Sequence, residues 1–298
     1  MLLFPNCKIN LGLRVVRKRE DGYHDLETIF VPIYGLHDEL EVTEAPSSFQ
    51  FSPFSFQQEG IVVDCPAEDN LIIRCYQLMA NKYPQIGKVA IRFKKNIPFG
   101  AGLGGGSSDA AHMEIALNEL FHLGLSKEQL AAEVRPLGAD CPFFIYNIPC
   151  YAEGIGDILT PIDLDLQGTR ILLIKPEEGV STREAYSGIR SHYDDAQSIK
   201  TAIAQGRKSL LSFDFLLSTI FVNDFEATVF PKHPVIAHIK KRLLDAGAYY
   251  ASMSGSGSTV FGLFKNDAES GTDTRLAALK QEFASMILLD DTFGERQA

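Results

Sequence analysis

The sequence predicts an α+β protein of two domains, and three observations carry that reading. The chain has 298 residues, close to twice a domain of roughly 150. Its first third reads as strands broken by charged turns, with the first long helical patterns after residue 69. Its second half alternates strands with helices in a β-α-α-β-α-β-like order. We set the domains at 1–158 and 159–298.

The elements follow in order. Ile9, Leu11, Leu13 and Val15 fall on one face of a strand, and Lys8, Asn10, Gly12 and Arg14 fall on the other. Asp21-Gly22 predicts a hairpin turn. A second strand follows over 26–33, and Leu40 and Val42 mark a third. Residues 46–60, rich in Phe, Ser, Pro and Gln, predict short strands and loops. Asp69 is placed to cap a helix carrying Leu71, Ile72, Cys75, Leu78 and Met79. Val89, Ile91 and Phe93 alternate as a strand. The run PFGAGLGGGSSD at 98–109 then opens a helix over 107–122. Ser126 and Gln129 form a capping box for the next helix, which Pro136 ends. The loop 137–142 leads into 143–146, FFIY, read as a strand with Asp140 at its mouth. In the second half, 170–174 is a buried strand and helices dominate 182–230. A helix over 235–246 ends at Gly247. Residues 252–258, SMSGSGS, form a loop before a strand over 259–264. A helix over 273–285 and a strand over 287–289 close the pattern.

Composition narrows the function. Hydrophobic residues at 45% and charged residues at 22% exclude a disordered chain. Twenty-eight basic against 38 acidic residues leave a charge of −10, which excludes a large nucleic-acid face. Five cysteines with no CxxC pair point to reduced thiols rather than a disulfide framework or a zinc site. The N-terminus lacks the pattern of a signal peptide, and no apolar run approaches the ~18 residues of a membrane span. A cytoplasmic protein without membrane or nucleic-acid partners is the expectation.

The glycine-rich run is the strongest local signal. Backbone without side chains can approach an anion closely, and successive N–H groups form a concave nest. Ser107 and Ser108 follow at a helix start, where unpaired N–H groups favour phosphate. A Walker A loop would need a lysine after the glycines, and none follows. Gly100, Gly102 and Gly105 do fit G-x-G-x-x-G. Several strands precede them, however, and no acidic strand tip lies about 20 residues on, so a dinucleotide site is the poorer reading.

Lys8 alone is as well explained by a solvated strand face, and Asp140 alone by a turn. Beside a triphosphate loop they make a pair. Phosphoryl transfer to an alcohol needs a proton acceptor, which Asp140 supplies, and positive charge at the reacting oxygens, which Lys8 supplies. Ser254, Gly255, Ser256 and Gly257 form a second small-residue loop, richer in glycine than a turn requires. Tyr23-His24 follows the predicted hairpin turn; such a pair is more often structural. His112 and His122 show no metal-ligand partner and are read as structural.

Taken together these residues resemble the GHMP kinase superfamily: a basic-polar strand, the loop at 98–108, and a late Gly-Ser-Gly loop. The finer resemblance is to its branch acting on a cytidyl diphosphate-linked methylerythritol. It rests on 8–11 (KINL), 21–24 (DGYH), 69–71 (DNL), 138–140 (GAD), 153–156 (EGIG) and 253–260 (MSGSGSTV) and spans nearly the whole chain. The resemblance implies a two-domain GHMP-kinase fold with an N-terminal ATP-binding domain and a ferredoxin-like C-terminal domain. It implies transfer of the γ-phosphate of ATP to the 2-hydroxyl of 4-diphosphocytidyl-2-C-methyl-D-erythritol, in non-mevalonate isoprenoid precursor synthesis. Lys8 and Asp140 match the catalytic pair. Pro98, Phe99, Gly100, Ala101, Gly102, Leu103, Gly104, Gly105, Gly106, Ser107 and Ser108 match the ATP loop. Asn10, Tyr23, His24, Thr182 and Tyr186 match substrate contacts. Mg²⁺ is implied by the chemistry and by no ligand cluster, and the chain is expected as a monomer or weak homodimer. Asn6-Cys7 and Cys141 depart from the family pattern and suggest thiol sensitivity near the site. The competing readings are a GHMP kinase for homoserine, mevalonate or a sugar, and a nucleotide-binding module without catalysis. Tyr23-His24 speaks against the former, and the presence of both Lys8 and Asp140 against the latter.

Overall fold

A computed structural model describes residues 1–45, 53–62, 65–189, 198–204, 220–265 and 272–294. The strands are β1 (Leu2–Leu3), β2 (Asn6–Lys18), β3 (His24–His37), β4 (Glu39–Glu44), β5 (Phe54–Gly60), β6 (Val89–Lys95), β7 (Cys150–Glu153), β8 (Ile158–Pro161), β9 (Arg170–Ile174), β10 (Tyr250–Met253), β11 (Val260–Phe264) and β12 (Ile287–Thr292). The helices are α1 (Leu71–Lys82), α2 (Gly105–Leu120), α3 (Lys127–Val134), α4 (Cys141–Tyr146), α5 (Thr182–Tyr186), α6 (Ile199–Ala204), α7 (Glu226–Val229), α8 (Pro234–Asp245) and α9 (Thr272–Glu282). They fall into two compact units that interleave along the chain. Met1–Lys8, Pro32–Phe99 and Gly104–Ile148 make the first, and Ile9–Val31, Gly100–Leu103 and Pro149–Ala298 the second.

The first unit sets four helices beside the sheet β1-β4-β6-β5. β4 runs antiparallel to β6, Leu40 opposite Phe93 and Val42 opposite Ile91, and β5 runs parallel to it. Alternation buries Leu40, Val42, Ile91 and Phe93, as the period-2 pattern requires. Two local readings change. The cap of α1 is Asn70, whose side chain accepts from Ile72 N at 3.0 Å, whereas Asp69 ends a 3-10 turn. Residues 143–146 are the body of helix α4, not a strand. A short apolar run carries no period to separate the two, and Pro142 in the first turn suits a helix start. The capping box of Ser126 and Gln129 forms on α3 as the sequence predicts.

The second unit holds two sheets. In β2-β3-β7-β8 the turn after β2 closes with Arg19 N donating to Tyr23 O at 2.8 Å, with Gly22 at φ +88°. The polar face of β2 is not solvated: Lys8, Asn10 and Arg14 are 3%, 2% and 3% exposed. The other sheet has the order β10-β11-β9-β12, antiparallel throughout. With helices after β9 and between β11 and β12, it has the ferredoxin-like β-α-β-β-α-β plan. Its core joins Leu172 and Ile174 to Ile236, Ile239 and Leu243 of α8 and Leu276 and Leu279 of α9. β10 takes in Ser252 and Met253, so the loop expected over 252–258 begins only at Ser254. Of the helices expected over 182–230, α5, α6 and α7 are described; 190–197 and 205–219 lie outside the described residues, as do 46–52. No helix among the described residues is long and apolar enough to cross a membrane.

Candidate active site

Within the first unit, Lys8 Nζ lies 3.5 Å from Asp140 Oδ2. Lys8 is buried, while the Asp140 side chain keeps 31% of its surface open. Asp140 holds the N-cap position of α4, yet its side chain makes no capping bond, so the carboxylate faces Lys8. Gly104 caps α2 in the left-handed region at φ +71°. A Cβ there would come 2.9 Å from Phe144 Cζ and 3.1 Å from Lys8 Cε, so only glycine brings this turn down onto the lysine stem. Ser108 N then donates to Gly104 O at 2.9 Å and starts the helix.

Beneath the start of α2 sits a buried cluster that sequence reasoning missed. Lys95 Nζ reaches Asp38 Oδ2 at 2.5 Å and Asp109 Oδ2 at 2.7 Å. Asp38 Oδ1 accepts from Asn96 N and Ile97 N at 2.6 and 2.8 Å. A Cβ on Gly105 would lie 3.1 Å from Lys95 Nζ. Burial holds the Asp109 carboxyl well above the usual carboxylate range, against the pull of Lys95. The three residues are far apart in sequence and share no motif.

The thiol expectation is corrected. Cys7 and Cys141 are fully buried. Burial pushes the Cys141 thiol up to about 12 and the Cys7 thiol higher still. Both stay protonated and unreactive at neutral pH. All five cysteines are free.

Within the second unit the two glycine loops meet. Ser254 Oγ donates to Gly102 O at 2.9 Å, and Thr259 N donates to Ala101 O at 3.2 Å. A Cβ on Gly102 would stand 2.0 Å from Ser254 O. The Gly255 Cβ position is 3.5 Å from Asn10 Oδ1, and Asn10 Nδ2 donates to Thr28 Oγ1 at 2.9 Å. His24 stacks on Tyr186 with ring centroids 4.6 Å apart, and Phe225 meets Tyr186 edge-on at 4.7 Å. Burial, with Lys18 nearby, lowers the pKa of His24 below the ordinary histidine value. Tyr23 is 61% exposed, with its N–H bonded to Asp21 Oδ1. Thr182 Oγ1 lies 3.4 Å from Ser256 Oγ. The structure thus brings together Lys8 with Asp140 and Gly104 in one unit, and Gly102 with Ser254, and His24 with Tyr186, in the other. No group of three or more His, Cys, Asp or Glu among the described residues has the geometry to hold a metal.

Two family models match the chain: the GHMP kinases N terminal domain over residues 70–147 and the GHMP kinases C terminal domain over 201–273. A Bacteroides thetaiotaomicron protein named 4-diphosphocytidyl-2-C-methyl-D-erythritol kinase is 49% identical over 265 residues, 89% of this chain and 92% of its own length. The chain belongs to the GHMP kinases. A Nitratidesulfovibrio vulgaris protein of the same name is 35% identical over 276 residues, covering 90% of this chain and 92% of its own. A crystal structure of 4-(cytidine 5'-diphospho)-2C-methyl-D-erythritol kinase superposes with a TM-score of 0.73 at 32% identity, over 96% of each chain. Homoserine kinase from Cytophaga hutchinsonii, at 18% identity and a TM-score of 0.66 over 89% and 87% of the two chains, shares the GHMP-kinase fold. The N-terminal match takes in the glycine-rich loop and Asp140, and the C-terminal match takes in Ser254–Gly257.

Proposed function

We propose that the chain transfers the γ-phosphate of ATP to the 2-hydroxyl of 4-diphosphocytidyl-2-C-methyl-D-erythritol, giving the 2-phosphate and ADP in the non-mevalonate route to isoprenoid precursors. The observation that carries the chemistry is the half-open Asp140 carboxylate 3.5 Å from buried Lys8, with the Gly104 turn against the lysine stem. The hydroxyl oxygen forms a bond to the γ-phosphorus as the bond to the ADP oxygen breaks, and the hydroxyl proton passes to Asp140. Lys8 neutralises charge on the transferring oxygens and orients the carboxylate. The residues from Pro98 to Ser108 hold the phosphates through backbone N–H groups, supported by Ser254, Gly255, Ser256 and Gly257. Mg²⁺ arrives as part of the nucleotide substrate. Asn10, Tyr23, His24, Thr182 and Tyr186 hold the cytidyl substrate; the lowered pKa of His24 favours the neutral imidazole, which has both a donor and an acceptor for a base edge. The proposed family domains are 1–158 and 159–298. Five free thiols support a cytoplasmic enzyme, and we take it as a monomer or weak homodimer.

ADP release with a panel of alcohols tests the reading. Turnover of the cytidyl methylerythritol is expected. Turnover of homoserine, mevalonate or a sugar without it would reject the substrate and keep the kinase.

Two variants test the assigned roles. Gly102→Ala is expected to weaken ATP binding tenfold or more in a nucleotide titration. The new Cβ would fall 2.0 Å from a backbone oxygen, and the residue sits at φ +75°. Gly100→Ala is the comparator. Its φ is +62° but nothing lies within 4 Å of the added atom, so only the backbone cost of about 1 kcal/mol applies. Equal effects of the two would remove the contact with Ser254 from the argument.

His24→Ala is expected to raise KM for the cytidyl substrate up to roughly tenfold and leave KM for ATP nearly unchanged. That is the loss of one hydrogen bond to a neutral base, about 0.5–1.5 kcal/mol. The variant also strips the ring that stacks on Tyr186. Parallel rises in both KM values, with a lower melting temperature, would make His24 a structural partner of Tyr186.

A further inference from the structure

Four consecutive residues, Asn223-Asp224-Phe225-Glu226, each grip a different part of the second unit. Asp224 Oδ2 accepts from Val15 N at 2.6 Å, and Asp224 N donates to Leu13 O at 2.9 Å, tying the segment to β2. Phe225 packs edge-on against Tyr186. Glu226 Oε1 accepts from Met253 N at 2.9 Å and is 3.2 Å from Ser252 Oγ, while its other oxygen pairs with Lys240. Asn223 is 3% exposed, and its amide makes three bonds. Nδ2 donates to Met253 O at 2.7 Å and to Gly255 O at 2.8 Å, and Oδ1 accepts from Phe225 N at 3.0 Å.

The two carbonyls that Asn223 holds flank Ser254. That residue sends its Oγ to Gly102 O, and its own carbonyl lies where a Gly102 Cβ would be. The amide therefore fixes the backbone on both sides of Ser254, which touches the first glycine loop. Buried polar groups whose bonds are all made hold a single geometry, and losing this one donor takes a bond from each of two carbonyls.

We propose that Asn223 is a positioning residue for nucleotide binding: it holds Met253–Gly255 so that Ser254 sets the Gly102 turn of the phosphate loop. The proposal rests on the assignment of that loop to ATP made above. Asn223 has no local sequence signal and belongs to neither glycine motif.

The test is an equilibrium titration with ATP, which needs no acceptor substrate. Asn223→Ala is expected to raise Kd for ATP roughly tenfold, the scale of two neutral hydrogen bonds. Ser254→Ala is expected to raise it severalfold. The double variant should bind no more weakly than the weaker single one, because both act through one contact; independent sites would multiply their effects. Val229→Ala, a cavity in the same core with no bond to the loop, separates positioning from loss of stability. It should lower the melting temperature and leave Kd unchanged. Asn223→Ser replaces Asn223→Ala if the latter does not fold. An unchanged Kd in the Asn223 variant, multiplied effects in the double variant, or an equal rise in Val229→Ala would each overturn the proposal. Failure of the unaltered protein to bind ATP would instead reject the assignment of the loop.

Discussion

Asp140→Asn is expected to lower kcat by roughly 10²–10⁴-fold while ATP still binds. The amide keeps the shape of the side chain and its place at the head of α4. It cannot accept the hydroxyl proton, and a positioned general base is worth about that factor. The effect should fall on kcat, because the carboxylate makes no bond that builds the phosphate loop and no cap on its own helix. Removing the negative charge also takes away the ion pair that Asp140 makes with buried Lys8 at 3.5 Å. A small loss of stability should accompany the kinetic one, and a third of the Asp140 side chain lies open to water, which limits it. Single-turnover kinetics with a parallel nucleotide titration check this. Activity within a few-fold of the unaltered enzyme would return Asp140 to the role of a turn residue.

Glu114→Leu is expected to stabilise the protein, and to do so more as pH rises. Glu114 sits on α2 with no exposed surface, and neither carboxyl oxygen has a partner. Burial raises its pKa from the ordinary 4.5 to about 9, the Glu133 carboxylate adding to the rise and Lys82 opposing it. Between those two values the folded state keeps a proton that the unfolded chain has released. Folding stability therefore falls as pH climbs through that window, by about 1.4 kcal/mol per pH unit. Leucine fills similar volume and has nothing to ionise. Its advantage over glutamate should grow by roughly 3 kcal/mol between pH 5 and pH 7.5. Urea melts at the two pH values measure it. A gain independent of pH would mean that Glu114 is ionised and solvated in the fold.

Several features of the site were legible in the residues and others were not, for physical reasons. The glycine-rich loop was legible because its composition has few other uses next to a strand and a helix. The β2 alternation was legible, but its meaning was not: period 2 assigns faces, and only tertiary packing decides that the face with Lys8, Asn10 and Arg14 is covered too. The helix carrying Asp140 was hidden because six residues are too few to show a helical period. The end of β10 was hidden because Ser252 and Met253 run straight into the small residues of the following loop. Tyr186 was placed by resemblance; its stacking on His24, more than 160 residues earlier, is a product of topology. Asn223, Asp38 and Lys95 had no local sign, and Asp109 closes the glycine-rich run without any sign of its partner, since these contacts are long-range.

The interleaving of the two units bears on how a ribosome delivers this chain. Residues 9–31 leave the exit tunnel early, yet β7 and β8, which extend their sheet, come more than 100 residues later, and Leu13 pairs with Asn223. At about 5–20 residues per second, the interval between Val31 and Asn223 is roughly 10–40 s. Through that interval an apolar hairpin waits for partners not yet synthesised. The first unit closes sooner, because its last segment ends at Ile148. The nascent chain thus carries a finished unit beside an open sheet edge, the kind of surface that holding chaperones protect and that crowded overexpression exposes to its own copies.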